Sequence, residues 1–344
     1  MSAVDDLRIA RTRPLLSPAV LAEELPRSPA DEAFVAGARS TIRDILDGRD
    51  ERLLAIVGPC SIHDPRAALD YAEQLPEIAA ATEDTLYVVL RVYFEKPRTV
   101  VGWKGLINDP DLDGGYRINE GLRRARRLLL DVARLGLPAA TEFLDATLGQ
   151  FYADLVSWAA IGARTAESQI HRQLASGLSM PVGFKNRTDG DVAVAVDAIR
   201  AAAHPHLFPS LTREGAPAIL ETRGNPDGHL VLRGGRDGPN HDAASVAQAV
   251  EALTAAGLDA KIVVDASHGN SGKDPGRQPD VVRDVVAQRR EGQRALRGVM
   301  VESNLVGGRQ DVTAAGASAL VRGQSITDAC LDIDATRTLL TTLA

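Results

Sequence analysis

Cysteine and lysine are both scarce in this chain of 344 residues. The two cysteines, Cys60 and Cys330, are too few for a disulfide framework, and such low usage fits a reducing compartment such as the cytoplasm. Only five of the 39 basic residues are lysines. A lysine in a conspicuous position is therefore more informative here than in most proteins.

Long apolar runs and excess positive charge are missing as well. No stretch approaches the roughly 18 consecutive apolar residues of a membrane span, and the first residues lack the apolar region of a signal peptide. The net charge is −7 and the isoelectric point is near 5.6. We therefore expect neither a membrane nor a nucleic acid as a partner, because no basic field exists to attract phosphate backbones.

The composition and the order of segments indicate an α/β protein. The chain is 44% hydrophobic and 25% charged, which is typical of a soluble globular protein, and its length suits one α/β barrel. Eight short apolar runs resemble buried parallel strands: Leu53–Gly58, Leu86–Tyr93, Ala139–Phe143, Ser157–Ala163, Val182–Lys185, Leu230–Gly234, Ile262–Ser267 and Gly298–Glu302. Helical periodicity separates them in Pro65–Leu75, Ile118–Leu135, Val192–Ala203, Ala243–Ala256 and Pro279–Arg290. Eight strand–helix units predict a single (β/α)8 TIM barrel over residues 51–344.

Two segments exceed the needs of such a barrel. Residues 1–50 form an N-terminal extension with a predicted helix at Ala30–Leu46. Residues 206–224 contain the β-like runs Leu207–Leu211 and Ala218–Thr222, which predict an inserted β-hairpin. Gly307–Gly323 is rich in glycine and alanine and predicts a mobile loop.

Polar or ionisable residues end all eight predicted strands, where barrel enzymes place their active sites. One group is basic and should converge at the C-terminal end of the barrel, its mouth. The group consists of Arg91, Lys96, Arg98, Arg164, Lys185 and Arg233. Each alone reads as a solvated loop residue, but six together would repel one another unless an anion is bound. The cluster predicts one or two substrates that carry phosphate and carboxylate groups.

A second group offers ligands for a metal. Cys60, His268 and Glu302 follow or end three strands, and Asp328 is a later acidic candidate. A thiolate, an imidazole and carboxylates suit one borderline divalent metal such as Mn²⁺, Fe²⁺, Co²⁺ or Zn²⁺. The alternatives are a buried small apolar role for Cys60 and a structural role for His268.

Eight strings of residues in this order resemble the type I 3-deoxy-D-arabino-heptulosonate 7-phosphate (DAHP) synthases, in the branch regulated by aromatic amino acids. The strings are Gly58-Pro59-Cys60-Ser61-Ile62-His63-Asp64, Arg91-Val92-Tyr93-Phe94-Glu95-Lys96-Pro97-Arg98-Thr99, Gly102-Trp103-Lys104-Gly105-Leu106, Ile161-Gly162-Ala163-Arg164-Thr165, Pro181-Val182-Gly183-Phe184-Lys185-Asn186, Leu232-Arg233-Gly234-Gly235, Asp265-Ala266-Ser267-His268-Gly269-Asn270-Ser271 and Val301-Glu302-Ser303-Asn304.

The resemblance implies a metal-dependent condensation of phosphoenolpyruvate with erythrose 4-phosphate, with Lys96, Cys60 and His268 as catalytic residues. It implies that Cys60, His268, Glu302 and Asp328 bind the metal. It implies that phosphoenolpyruvate is held by Arg91, Lys96, Glu142, Ala163, Arg164, Lys185 and Arg233. Arg98 and Thr99 would hold the phosphate of erythrose 4-phosphate. A lysine among other cations can have a lowered pKa, so we expect Lys96 to transfer a proton or stabilise charge.

Two other functions stay open on the sequence. A sister synthase that uses another aldose phosphate would share most of the basic cluster, and an inactive barrel could sense an amino acid. The resemblance further implies a homodimer or homotetramer and feedback inhibition by phenylalanine or tyrosine. The candidate inhibitor-binding residues are Asp6, Leu178, Ser179, Phe208 and Ser210.

Overall fold

Strands and helices alternate along most of the chain. The structure, a computed structural model, describes residues 4–313 and 316–343, so residues 1–3 of the extension and 314–315 of the Gly307–Gly323 segment lie outside it. The described strands are β1 (Leu53–Gly58), β2 (Leu86–Arg91), β3 (Ala139–Glu142), β4 (Trp158–Ile161), β5 (Val182–Lys185), β6 (Leu207–Leu211), β7 (Pro217–Glu221), β8 (Gly228–Leu232), β9 (Ile262–Asp265), β10 (Leu296–Asn304), β11 (Val306–Arg309), β12 (Gln324–Ser325) and β13 (Leu331–Asp332). The described α-helices are α1 (Pro18–Glu24), α2 (Pro29–Asp47), α3 (Pro65–Ala72), α4 (Leu75–Ala81), α5 (Ile118–Arg134), α6 (Gly149–Tyr152), α7 (Gln169–Gly177), α8 (Ala193–Ala202), α9 (Ala243–Ala255), α10 (Gln278–Arg290) and α11 (Ile333–Leu343). None of these described helices is long and apolar enough to cross a membrane.

Eight parallel strands close into a barrel. Their order is β1-β2-β3-β4-β5-β8-β9-β10, and β10 pairs back with β1 so that Gly58 lies opposite Glu302. Each of the eight predicted apolar runs overlaps one of these strands. The predicted (β/α)8 barrel is therefore confirmed.

The barrel has an inner and an outer apolar core because its strands are buried on both faces. The outer core lies between the strands and the surrounding helices. The inner core fills the barrel and includes Leu54, Ile56, Val89 and Trp158. Packed layers of inward side chains are the usual interior of such barrels, so the chemistry is confined to the strand ends.

Helix α2 closes the barrel from the N-terminal side of its strands. Its residues Ile42, Ile45 and Leu46 are fully buried and belong to the inner core of the barrel. The helix begins with a reciprocal capping box between Ser28 and Asp31, which satisfies two backbone donors of its first turn. This part of the extension is thus integral to the barrel core.

The inserted hairpin is present as predicted. Strands β6 and β7 pair antiparallel, with Phe208 opposite Leu220. The turn between them contacts α1, since the backbone N–H of Ala19 donates to the carbonyl of Arg213 at 2.7 Å. Residues 4–15 precede α1 and are exposed along their whole length.

Several elements differ from the sequence predictions. The predicted helix Pro65–Leu75 ends early, and α4 starts as a separate helix at Leu75. Pro76 lies in the first turn of α4, and it has no N–H with which to continue the hydrogen bonds of α3. Helices α1, α6, α7 and α11 had not been predicted, and three of them have fewer than ten residues.

The prediction that Gly307–Gly323 is a loop is wrong at its beginning. Strand β11 covers Val306–Arg309 and pairs with β12, and the Gly308 N–H donates to the Cys330 carbonyl at 2.8 Å. Glycines lack the side chains that usually mark a strand, so their backbone pairing was invisible in the sequence.

Candidate active site

The C-terminal ends of the eight barrel strands bring the predicted site residues to one mouth. Every barrel strand carries one of these residues at, or within three residues of, its C-terminal end. Arg91, Glu142 and Lys185 are the last residues of β2, β3 and β5. Parallel strands share one direction, so residues far apart in sequence converge here.

Three of the four predicted metal ligands form a compact group. Cys60, Glu302 and Asp328 each offer a ligand atom, and these atoms lie within 4.8 Å of one another. The Cys60 Sγ atom is 3.7 Å from Asp328 Oδ2. Cys60 and Glu302 are fully buried, and Asp328 is half-buried. One sulfur and two carboxylates fit a borderline divalent metal.

His268 lies beside this group. Its Nε2 atom is 3.9 Å from Glu302 Oε1, within reach of a shared ion. Its backbone has a φ of 54°, a left-handed conformation that non-glycine residues rarely adopt. Strain of this kind costs on the order of 1–3 kcal/mol and is concentrated at functional positions. The geometry is compatible with a fourth ligand position for His268.

The protonation properties of Cys60 and Glu302 favour the binding of a cation between them. Burial, followed by the charge of Glu302, raises the pKa of the Cys60 thiol to about 11. Burial also tends to raise the pKa of Glu302, but electrostatic interactions with His268 and Arg91 lower it to about 2. Glu302 is therefore ionised at neutral pH. Cys60 becomes a thiolate only when a cation replaces its proton, which suits a ligand better than a redox thiol.

Asp265 is a site residue that the sequence prediction missed. It is fully buried, its Oδ2 atom lies 2.7 Å from Lys185 Nζ and 3.0 Å from His268 Nδ1, and its pKa is well below the usual range. Burial opposes that shift, and the charges of His268 and Lys185 outweigh it. A single acid at the end of the apolar run Ile262–Asp265 was the available signal, because a buried charge has to be paired.

Arg91 is the most buried of the predicted cations, with 1% of its surface exposed. Its Nη2 atom donates to Glu302 Oε1 at 3.1 Å, and its guanidinium carbon lies 3.8 Å from the ring centroid of Tyr93. Glu302 thus neutralises Arg91, as Asp265 neutralises Lys185. We had expected that only a bound anion could balance the six cations. That expectation is wrong for Arg91 and Lys185, because each pairs with an acid of the chain.

The expected lowering of the Lys96 pKa is also wrong. Lys96 donates from Nζ to the Cys60 carbonyl at 3.0 Å. Burial would lower its pKa, but the neighbouring Cys60 and Glu302 groups outweigh that effect and raise it. Lys96 therefore stays protonated and acts as a positive charge and proton donor.

Three arginines remain available for an anion. Within the described residues Arg98, Arg164 and Arg233 form no ion pair. Arg98, the adjacent Thr99 and Arg164 are exposed, whereas Arg233 is half-buried. Burial lowers the pKa of Arg233, and repulsion from Arg164 acts in the same direction. Two unpaired cations that influence each other in this way are a suitable site for a phosphate group.

Glu142 completes this side of the pocket. It is buried, and its carboxylate packs so closely on Gly162 that a side chain at Gly162 would overlap with it. A side chain at Gly162 would therefore displace the Glu142 carboxylate from its present position. Ala163, the next residue, is half-buried.

A separate cavity of about 760 Å³ lies between the extension, α7 and the hairpin. It is lined by four of the five candidate inhibitor-binding residues: Leu178, Ser179, Phe208 and Ser210. Asp6, the fifth candidate, is exposed and does not line this cavity. The volume is within the usual range for a small-molecule site.

Comparisons with known proteins agree with this site. The model of the DAHP synthetase I family matches residues 28–341. The chain is 54% identical to "Phospho-2-dehydro-3-deoxyheptonate aldolase, Trp-sensitive" of Enterobacter agglomerans, over 100% of this chain and 98% of that protein. It is also 54% identical to the "Phe-sensitive" enzyme of Escherichia coli K12, over 99% of this chain and 96% of that protein. A solved phospho-2-dehydro-3-deoxyheptonate aldolase from Francisella tularensis SCHU S4 has a TM-score of 0.94 at 48% identity, and the match covers 97% of each chain. The chain belongs to the DAHP synthetase I family.

Proposed function

We propose that this protein condenses phosphoenolpyruvate with D-erythrose 4-phosphate and water to give 3-deoxy-D-arabino-heptulosonate 7-phosphate and phosphate. This is the first step of the shikimate pathway to aromatic amino acids. The observation that carries the proposal is the group of Cys60, Glu302 and Asp328 beside the unpaired Arg164 and Arg233. Family membership and the names of the relatives support it.

The basic cluster would hold phosphoenolpyruvate, with each part of the substrate matched by charge. Arg164 and Arg233 would take the phosphate, which carries more than one negative charge. Arg91 and Lys185 would flank the carboxylate end, with Glu142 and the backbone of Ala163 completing the wall. Arg98 and Thr99 would bind the phosphate of erythrose 4-phosphate. Fixing both substrates in contact replaces a bimolecular encounter by an oriented one.

One divalent metal, Mn²⁺, Fe²⁺, Co²⁺ or Zn²⁺, would be held by Cys60, Glu302, Asp328 and His268. When bound, the metal supplies a Lewis acid for the aldehyde oxygen.

The remaining chemistry depends on the chain's own groups. Carbon 3 of phosphoenolpyruvate forms a bond to the aldehyde carbon, water adds at carbon 2, and phosphate leaves by cleavage of its bond to that carbon. Lys96, which is protonated, would donate a proton to the aldehyde oxygen or stabilise its developing charge. Arg164 and Arg233 would stabilise the departing phosphate.

The test is an assay of phosphate release from phosphoenolpyruvate in the presence of several aldose phosphates and a divalent metal. We expect efficient turnover with erythrose 4-phosphate and little with arabinose 5-phosphate. Preference for arabinose 5-phosphate would indicate the sister synthase instead. No turnover with any aldose phosphate, together with tight binding of an amino acid, would indicate the inactive sensing barrel.

The cavity between the extension and the hairpin would bind an inhibitory aromatic amino acid. Phe208 offers an apolar wall and Ser210 a hydroxyl, which suits phenylalanine, whereas residues 224–229 are similar to the tyrosine-regulated branch. Relatives named Trp-sensitive and Phe-sensitive match equally well, so identity does not choose among the amino acids. Inhibition assays with phenylalanine, tyrosine and tryptophan would identify the ligand.

The assembly and location complete the proposal. The enzyme would form a homodimer or homotetramer through its extension and hairpin, which light scattering can measure. It would work in the cytoplasm, since its two cysteines are both free thiols.

A further inference from the structure

The hydroxyl of Tyr93 is buried without a hydrogen-bond partner. Tyr93 follows β2 and is 1% exposed, and its Oη atom has no partner among the described residues. Leaving a buried donor unpaired carries a desolvation penalty, and native proteins pair nearly all such groups. A buried hydroxyl of this kind calls for a partner from outside the chain, either an ordered water or a group of the substrate.

The position of Tyr93 indicates where that partner lies. The aromatic ring contacts the Arg91 guanidinium on one side and the inner core of the barrel on the other. The charges that act on its hydroxyl come from Arg91, Lys185, Glu142 and Asp265. Arg91, Lys185 and Glu142 are proposed phosphoenolpyruvate residues, so Tyr93 lies beside residues that would hold the substrate.

The charge distribution of the pocket indicates which group of the substrate would lie next to Tyr93. At the buried end, Arg91 is paired with Glu302 and Lys185 with Asp265, so the four charges cancel. At the outer end, Arg164 and Arg233 have no paired acid in the described structure. The outer end therefore suits a phosphate with more than one negative charge. The protonated Lys96, which forms no ion pair within the described residues, adds one positive charge at this end, so the buried end suits a single carboxylate. The neutral Tyr93 hydroxyl can donate to that carboxylate without adding charge.

We propose that the Tyr93 hydroxyl is a substrate-binding group that donates a hydrogen bond to the carboxylate of phosphoenolpyruvate. The inference rests on the proposed function for the identity of the substrate. Burial raises the pKa of Tyr93 despite the opposing charges of Arg91 and Lys185, so the hydroxyl keeps its proton and can donate at neutral pH.

The test compares Tyr93→Phe with Tyr87→Phe in the metal-loaded enzyme. Tyr93→Phe removes only the hydroxyl and keeps the ring beside Arg91, while Tyr87 lies near the start of β2, where its ring contacts Arg52. Because the lost hydrogen bond is to a charged group, we expect Tyr93→Phe to weaken phosphoenolpyruvate binding by roughly tenfold or more, measured by calorimetry and as KM. Inhibition by inorganic phosphate, which would occupy the outer end, should be unchanged. The melting temperature without substrate should not fall, because the deleted hydroxyl had no partner.

Each outcome of this comparison either supports or overturns the role of Tyr93. A loss of phosphoenolpyruvate affinity smaller than about threefold overturns the inference, as does equal weakening of phosphoenolpyruvate and phosphate, which would mean general disruption of the pocket. A lower melting temperature with unchanged affinity would show that the hydroxyl is structural. A wild-type enzyme that binds phosphoenolpyruvate but does not condense it with erythrose 4-phosphate refutes the proposed function, while the binding comparison still tests Tyr93.

Discussion

The Lys185 ammonium and the Asp265 carboxylate lie 2.7 Å apart at the closed end of the pocket, and both are buried. They come from β5 and β9, which are separated by β8 in the barrel. The same carboxylate contacts His268 at 3.0 Å. Asp265 therefore links a predicted substrate cation to a predicted metal ligand, and its charge sets the position of both.

Asp265→Asn should be among the most damaging substitutions that preserve side-chain shape. It leaves the Lys185 ammonium buried without an anion, and removing one partner of a buried pair costs about 3–5 kcal/mol of unfolding free energy. We expect a loss of that order in urea unfolding and a fall of at least about a hundredfold in kcat/KM. Asp259→Asn is the control, since Asp259 is an exposed partner of Lys261 and should change stability by less than about 0.5 kcal/mol. Equal stability and activity of the two variants would contradict the role of Asp265.

Cys60→Ala should remove the metal and the activity together. The thiol is buried and lies 3.7 Å from Asp328 Oδ2, where only a cation can stabilise its thiolate. We expect metal content, measured by mass spectrometry, to fall below one tenth of the wild-type value, a roughly tenfold loss. Chelation of the wild type should abolish turnover, and added divalent metal should restore it. Cys330→Ala is the control and should keep its metal. An active Cys60→Ala enzyme in excess chelator would exclude the metal role.

Lys96 and Arg164 should differ in kinetics. Lys96→Ala removes a protonated group next to Cys60, so kcat should fall by about two orders of magnitude or more. Arg164→Ala removes an exposed cation beside Arg233, so KM for phosphoenolpyruvate should rise with a smaller effect on kcat. The Lys96→Arg variant keeps the positive charge, so its steady-state kinetics test whether that charge alone is enough to maintain kcat. Raised KM with unchanged kcat in both alanine variants would show that Lys96 only binds.

His229 should make the fold less stable in acid. It is buried, its Nε2 accepts from the Trp158 indole at 3.0 Å, and burial lowers its pKa to about 4. An unfolded histidine has a pKa near 6.5, so the unfolded chain binds this proton first as the pH falls. The stabilisation is complete above pH 6.5 and is lost between about pH 6.5 and 4, by up to about 3 kcal/mol.

Urea unfolding of the wild type and of His229→Gln across this pH range would isolate the effect, because other groups titrate in both. The glutamine variant should be less stable at pH 7.5 and should lose less stability on acidification. Parallel pH profiles for the two proteins would rule out His229 as the source.

Deleting residues 1–15 should separate regulation from catalysis. Residues 4–15 are exposed and distant from the metal ligands in sequence. They include Asp6, a candidate inhibitor-binding residue from the sequence that does not line the cavity in this structure. We expect activity within about twofold of the wild type and loss of inhibition by the effective amino acid. Ser210→Ala tests the cavity itself and should weaken inhibition without changing kcat. A full-length enzyme that ignores phenylalanine, tyrosine and tryptophan would make the extension purely structural.

The sequence was sufficient to predict the barrel and to expect most of the candidate site residues at the C-terminal ends of its strands. Runs such as Leu53–Gly58 are apolar on both faces, which is typical of parallel strands that are covered on both sides. Partners across the barrel could not be predicted, since nothing near Lys185 in sequence indicates Asp265. The same gap explains the error on Lys96, whose pKa depends on Cys60 and Glu302 from other strands. Short helices such as α6 leave too few turns for a periodic pattern.

The two halves of the N-terminal extension differ in how strongly the fold constrains their sequence. Helix α2 contributes Ile42, Ile45 and Leu46 to the interior of the barrel, so substitutions there endanger the fold. Residues 4–15 are exposed and can change in sequence or length at little expense to the barrel. If residues 4–15 carry the proposed response to an amino acid, a lineage can acquire, exchange or lose that response while its catalytic centre stays constant. In this architecture the control of the enzyme can diversify faster than its chemistry.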